Sequence, residues 1–158
     1  MNTAVMYRGQ ELRVTPSIAD GMAELRRLTD ILTIKDQFES SFLRSVPLVL
    51  WGKAYEAQHD QFRMVFISDH YTKIFGVERG DYIAKLDSEV WPPDVAAVFR
   101  AQDMEVMRTG RPVFKTEPTP LAIDPAWRNC MTMKFPIYDK KRNISGVGGV
   151  AWPADAEG

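Results

Sequence analysis

Cysteine is almost missing: Cys130 is the only one in 158 residues. No disulfide can close within the chain, and a reducing, cytoplasmic setting is the expectation. Histidine is nearly as scarce, with His59 and His70 alone. Two distant imidazoles and one thiol do not form a metal-ligand set, so no metal is expected. No apolar run approaches the ~20 residues of a membrane-spanning helix; the longest, Val46 to Trp51, is strand-sized. Residues 1–10 lack the apolar centre of a secretory signal. Neither sign of charge is in excess: 20 Lys and Arg face 21 Asp and Glu, a net charge of −1. That balance argues against direct nucleic-acid binding through phosphates. The nearest basic run, Lys140-Lys141-Arg142, is three residues long and reads as a solvated hairpin tip.

Catalytic signatures are missing too. Gly146-Val147-Gly148-Gly149 lies in a terminal strand and precedes no helix, so it is neither a phosphate loop nor a dinucleotide fingerprint. Ser40, Ser41 and Ser45 have no accompanying base or oxyanion motif. The chain is not expected to be an enzyme.

What is present suits one folded domain with an appended element: 45% of residues are hydrophobic and 26% charged. Residues 1–16 show no strong period and read as a flexible N-terminus. Thr15-Pro16 then supplies a cap and a first-turn proline. Residues 17–45 follow as a long amphipathic helix, about 43 Å at ~1.5 Å per residue. Ile18, Met22, Leu25 and Leu32 take heptad-like positions, but the register fails at Asp36 and Glu39. Ile18, Met22, Leu25, Leu28, Leu32 and Phe38 are the candidates for a dimer-forming face. A coiled coil and a helix folded back onto its own domain both fit this pattern.

Pro47 closes that helix, and strands are expected at Val46 to Trp51 and Phe62 to Ile67, joined by a polar connection. Ser68 and Asp69 cap a short helix ending at Gly76, and another covers Arg79 to Leu86. Pro92-Pro93-Asp94 opens a longer helix to Arg108, stopped by Gly110, with Val95, Val98, Phe99 and Val106 on one face. Strands follow at Val113 to Glu117, Trp127 to Ile137 and Ile144 to Trp152, the last with glycines that mark close approach by another element. Residues 46–152 thus form one α+β domain, an antiparallel sheet with helices on one face, and 153–158 are a tail.

Four segments in this order resemble the PAS family. Phe66-Ile67-Ser68-Asp69-His70-Tyr71-Thr72-Lys73-Ile74-Phe75-Gly76-Val77 is similar to its second strand and first short helix, with Ser68 at a position commonly held by Asn. Trp91-Pro92-Pro93-Asp94 resembles the His-Pro-x-Asp entry into its long helix, with Trp for His. Gly110-Arg111-Pro112-Val113 resembles the approach to the third strand, and Lys134-Phe135-Pro136-Ile137-Tyr138-Asp139 with Gly146 the final hairpin. Trp152-Pro153-Ala154-Asp155 stands where an Asp-Ile-Thr-like junction is usual. The likeness covers about residues 42–152 and implies a five-stranded antiparallel sheet with short helices on one face, behind the long N-terminal helix.

It also implies a sensory or regulatory module that binds a small ligand or a partner and forms homodimers, with an effector such as a kinase, cyclase or DNA-binding domain outside this chain. The pocket positions carried over are Ile67, Tyr71, Phe75, Val98, Phe99, Met131, Met133 and Val147. Haem is not expected, since neither histidine lies on the long helix where matching members place the axial ligand. A flavin adduct is not expected either, because Cys130 lies on a late strand and residues 79–91 hold no cysteine. Clustered Lys, Arg and His of the kind that binds carboxylates is not anticipated in the pocket. Two other readings remain: a ligand-free protein-interaction module that fills its own cavity, and a small isomerase-like α+β enzyme needing acid/base groups in the cavity.

Overall fold

In the computed structural model, residues 40–154 are described throughout, and before them the backbone of residues 4–7 and 10–13. The chain divides into two units, Met1–Ser41 and Phe42–Gly158. In the first, β1 (Ala4–Tyr7) and β2 (Gln10–Arg13) pair as an antiparallel hairpin where no regular structure was expected. Four-residue strands are too short for alternation to announce them. Ile18, Met22, Leu25, Leu28, Leu32 and Phe38 lie outside the described residues.

The second unit is built on a five-stranded antiparallel sheet ordered β4-β3-β7-β6-β5. Its members are β3 (Val49–Glu56), β4 (Gln61–Ile67), β5 (Val113–Pro118), β6 (Asn129–Tyr138) and β7 (Ile144–Pro153). Helices α1 (Asp69–Phe75), α2 (Arg79–Tyr82) and α3 (Pro93–Thr109) fall between β4 and β5, with one short 3₁₀ turn at Asp87–Glu89 and another at Pro125–Trp127. Chain order and sheet order together place β3 and β7 at the centre, so the first and last strands of the unit close it.

Local chemistry explains most boundaries. Ser68 caps α1: its Oγ accepts from the Tyr71 N–H at 3.2 Å and from the Leu50 N–H at 3.1 Å, and donates to the Leu48 carbonyl at 2.7 Å. The hydroxyl thus stitches the helix start to the strand beside it. Gly76 and Gly110 end α1 and α3 in the left-handed conformation, φ 67° and 63°, which glycine adopts without strain. The basic run lies in an exposed turn, where Asp139 Oδ1 accepts from the Lys141 and Asn143 N–H groups.

One boundary differs in an instructive way. β3 starts later than Val46 and runs on to Glu56, through residues expected to be a connection. Lys53 reads as a loop residue by polarity alone, but it faces the interior and is paired there with carboxylates. The second short helix is likewise shorter than expected, because the chain turns at Ala84 with φ 67°.

The core lies between the sheet and its helices. Val49, Trp51, Met64, Ile67, Tyr71, Phe75, Tyr82, Trp91, Val95 and Phe99 form one cluster, and Phe62, Val106, Val113 and Val147 a second. Gly149 lies beneath the Trp51 ring, so that a β-carbon there would overlap the indole. Gly148, facing the other way, lies against Phe135, with a β-carbon position 2.5 Å from the ring. Gly148 and Gly149 therefore leave room for two aromatic side chains, and Gly146 for the backbone of Lys53. Among the described residues, no helix is long and apolar enough to cross a membrane.

Candidate functional site

Strand alternation decides which side chains face the helices. On β6 the inward set is Cys130, Thr132 and Lys134; on β3 it includes Trp51 and Lys53; on β5 it includes Glu117. These residues, with Met64, Tyr71, Phe75, Tyr82, Trp91, Phe99, Thr119 and Ala151, surround a cavity between the sheet and the helices. Its volume is about 20 Å³, room for about one water molecule. The aromatic side chains form its wall: Tyr71 stacks edge-on to Phe75 at 4.7 Å between centroids, and Trp91 bridges Phe75 at 5.5 Å and Phe99 at 5.4 Å.

Lys53, Lys134 and Glu117 bring charge to the lining, and the ionic network they belong to is almost wholly withdrawn from solvent. Lys53 is 3% exposed, Lys134 1% and Asp103 0%. The Lys53 ammonium donates to Asp87 Oδ2 at 2.5 Å and Asp103 Oδ2 at 2.7 Å. Lys134 lies 2.9 Å from Asp103 Oδ1 and 2.6 Å from Glu117 Oε1, and donates to the Phe99 carbonyl at 3.2 Å. Asp103 thus links both lysines, tying α3 to β3 and β6. Asp87 is held from the other side by the Tyr82 hydroxyl at 2.6 Å, and the Trp91 indole N–H donates to that hydroxyl at 3.1 Å. Both ammonium groups sit over the Phe99 ring, 5.7 Å and 5.4 Å from its centroid, a cation–π arrangement.

Charge states follow from the contacts. Burial opposes the charge on Lys53, but Asp103 and Asp87 outweigh it and hold the ammonium protonated well above the usual lysine range. Burial likewise pushes Asp103 up, and the two lysines reverse it, leaving the carboxyl below its ordinary value. Glu117 goes the other way: burial raises its carboxyl and Lys134 only partly compensates. Burial also pushes Tyr82 far up, so that its phenol stays a donor to Asp87.

The positions expected to line a pocket are divided by this geometry. Tyr71, Phe75 and Phe99 line the cavity. Ile67 is buried in the same core cluster but is not at the cavity surface. Val147 is on the inward face of β7 but belongs to the second cluster with Phe62 and Val106. Val98 is 37% exposed on the outer side of α3, beside a shallow groove with Val95 and Pro118. Met131 and Met133 are away from the cavity, because the alternation of β6 turns Cys130, Thr132 and Lys134 inward instead. Both registers of that strand look acceptable by pattern, and a shift of one residue exchanges the two faces.

Two lysines do reach the cavity, though both are paired with carboxylates. Lys53 and Lys134 stand 81 positions apart and meet only through strand pairing and the shared Asp103. One signal was available: Asp103 occupies the same helical stripe as Phe99 and Val106, four after one and three before the other. An acid in an apolar stripe implies a buried partner. His59 is largely exposed and His70 lies edge-on to Trp127. Cys130 is buried, its Sγ donating to the Trp127 carbonyl at 3.2 Å, and burial raises its thiol pKa. Among the described residues, no group of His, Cys, Asp and Glu is arranged to hold a metal.

Comparison with known proteins agrees with this architecture. The VqmA dimer of Vibrio cholerae, solved without its target DNA, superposes with a TM-score of 0.59 at 22% identity, over 75% of this chain and 52% of that one. The PAS domain of Bordetella pertussis BvgS gives 0.59 at 18% identity, over 78% and 88%. The Rhodobacter sphaeroides LOV protein gives 0.56 at 15% identity, over 78% and 70%. The chain spans about half the length of the VqmA chains it matches. No curated protein matches the sequence. The family model described as PAS fold matches residues 59–155, from the turn before β4 to just past β7. With the sheet order, the helical insert and this match in hand, the chain belongs to the PAS fold family.

Proposed function

We propose that this chain is a sensory module in signal transduction that recognises a small molecule in the cavity between sheet and helices, and that it is not itself a catalyst. The observation that carries this reading is the buried ionic network in the aromatic wall. Five ionisable groups in such a place contribute little to stability compared with well-packed apolar residues, because desolvating them offsets their mutual attraction. Clustered, buried and charge-shifted groups beside a cavity are a recognised mark of a binding site. The same fold in VqmA is described bound to the compound DPO, which supports the reading.

The void holds about one water as it stands, so a ligand enters by displacing side chains. Binding then moves the aromatic wall or the lysines, which is the differential contact that a switch between two states requires. Lys134 is the natural reporter, because it touches α3 through Asp103 and Phe99 and β5 through Glu117. The acid/base groups of the cavity are locked in ion pairs, which favours recognition over an isomerase-like reaction.

Homodimerisation belongs to the same proposal, with Ile18, Met22, Leu25, Leu28, Leu32 and Phe38 as the pairing face and an effector outside this chain. The far face of the sheet, where Val65, Phe114 and Trp152 are exposed, supports an association surface. The test of the ligand reading is organic extraction of freshly purified protein with mass spectrometry, alongside an absorbance spectrum. A compound recovered in stoichiometric amount from the native chain, and lost from an Ala151→Phe variant that fills the cavity, is the expected result. Equal recovery from both proteins would overturn it.

A further inference from the structure

The buried network holds one carboxyl group more than it has amines. Two ammonium groups, Lys53 and Lys134, face three carboxylates, Asp87, Asp103 and Glu117. Asp87 is hydrogen-bonded by both Lys53 and Tyr82, and Asp103 is hydrogen-bonded by Lys53 and ion-paired with Lys134 as well. Glu117 is the end member. Among the described residues Lys134 is its one ionic partner, shared with Asp103, and Glu117 itself lines the cavity.

The unmatched carboxyl therefore sits at the cavity surface, where burial favours its protonated form until a cation stands against it. The walls around it are ring faces and edges from Trp51, Tyr71, Phe75, Tyr82, Trp91 and Phe99, surfaces that attract cations and flat molecules through the ring quadrupole. Thr132 and Thr119 also line the cavity, their hydroxyls donating to the carbonyls of Lys115 and Trp127. An anion brought here would meet Glu117 without a free cation to receive it, since each lysine is already divided between carboxylates.

Resting on the reading of the cavity as a ligand site, we propose that its ligand is a small flat cation: an aromatic amidine, a protonated aminoheterocycle or a similar nitrogen base, with its charged N–H edge on Glu117. A planar N–H edge matches a carboxylate in two parallel hydrogen bonds. Its charge balances the network at three against three. Lys134, relieved of Glu117, remains with Asp103 and the Phe99 carbonyl, so the link between α3 and β5 loosens while that between α3 and β6 persists. Occupancy is thereby converted into a change in the edge of the sheet.

Three isosteric probes separate the possibilities in the full 158-residue chain: benzamidine as the cation, benzamide as the neutral form and benzoate as the anion. Binding is read by calorimetry and by the indole N–H resonances of Trp51 and Trp91, which report the cavity wall directly. Benzamidine is expected to shift both resonances and to bind about tenfold or more tightly than benzamide, as a charge-assisted pair should, with benzoate inert. Glu117→Gln should remove that preference while leaving the circular-dichroism spectrum unchanged. Should that variant fail to fold, the ranking of the three probes on the unaltered chain decides alone. Benzamide or benzoate binding as well as benzamidine, with both indoles shifted, would overturn the cation assignment and leave the pocket standing. Failure of every probe to move either indole would overturn the pocket reading and the assignment with it.

Discussion

Asp103 is the residue on which the interior turns. It lies on α3, is closed to solvent, and receives both buried lysines within 2.9 Å. Removing it leaves two ammonium groups in an aromatic cavity with one carboxylate each. Asp103→Ala is expected to lower stability by about 3–5 kcal/mol, the range for breaking one side of a buried pair, measured by urea denaturation. A loss under about 1 kcal/mol would show that water reaches the lysines. Its pH dependence has a definite sign. The folded state lowers the Asp103 pKa, so its contribution is complete above the ordinary carboxylate value of ~3.9 and disappears as pH falls through the folded value. Glu117 is opposite, because burial raises its pKa. Its contribution is complete at acid pH, below the ordinary glutamate value, and is lost as pH rises through the folded value. The unaltered chain should therefore gain stability relative to Glu117→Gln as pH is lowered from neutrality toward the ordinary glutamate value. A pH-independent difference would place Glu117 in contact with water. None of this network was legible as a network. Strand patterning weighs residues one at a time, and a lysine scores as surface wherever it stands. Its burial is visible only when strand pairing brings residues 53, 103, 117 and 134 together.

At the scale of elements, more could be read. The cap at Ser68, the stops at Gly76 and Gly110 and the proline start of α3 are local chemistry, written in adjacent residues, and the structure has each of them. Ser68 does more than cap, since its hydroxyl also holds Leu48 and Leu50. Ser68→Ala is expected to lower stability by about 1–2 kcal/mol, at the upper part of the range for lost caps, with unfolding followed by circular dichroism. The facing of β6 could not be settled locally, because Cys130-Thr132-Lys134 and Met131-Met133-Phe135 are both acceptable inward sets. Tertiary packing decides it, through Ala151 opposite Thr132 and Gly149 opposite Lys134. Gly149 has a further duty, because Trp51 lies on it. Gly149→Val should displace that indole and lower stability by about 1–3 kcal/mol, the range for overpacked cores. A blue-shifted, unperturbed tryptophan emission and an unchanged melt would contradict that.

For the whole molecule, the order of elements was the readable part: two strands, a helical insert, three strands, and a resemblance that implied one five-stranded antiparallel sheet. The first unit was less readable, since its hairpin strands are four residues each. The proposal of a helical dimer predicts that Leu25→Asp with Leu32→Asp gives monomers by light scattering; an unchanged dimer would refute pairing through that face. The central claim concerns the interior, where an ionic network occupies space that apolar side chains would fill equally well. The claim is that recognition, not stability, accounts for it. The direct measurement is the thermal melt of a chain in which the network is replaced as a unit: Lys53→Met, Lys134→Met, Asp103→Leu, Asp87→Asn and Glu117→Gln. The account predicts a folded protein melting at or above the unaltered chain. A protein that fails to fold, or melts far below it, would show the network to be the keystone of the fold and would contradict the account.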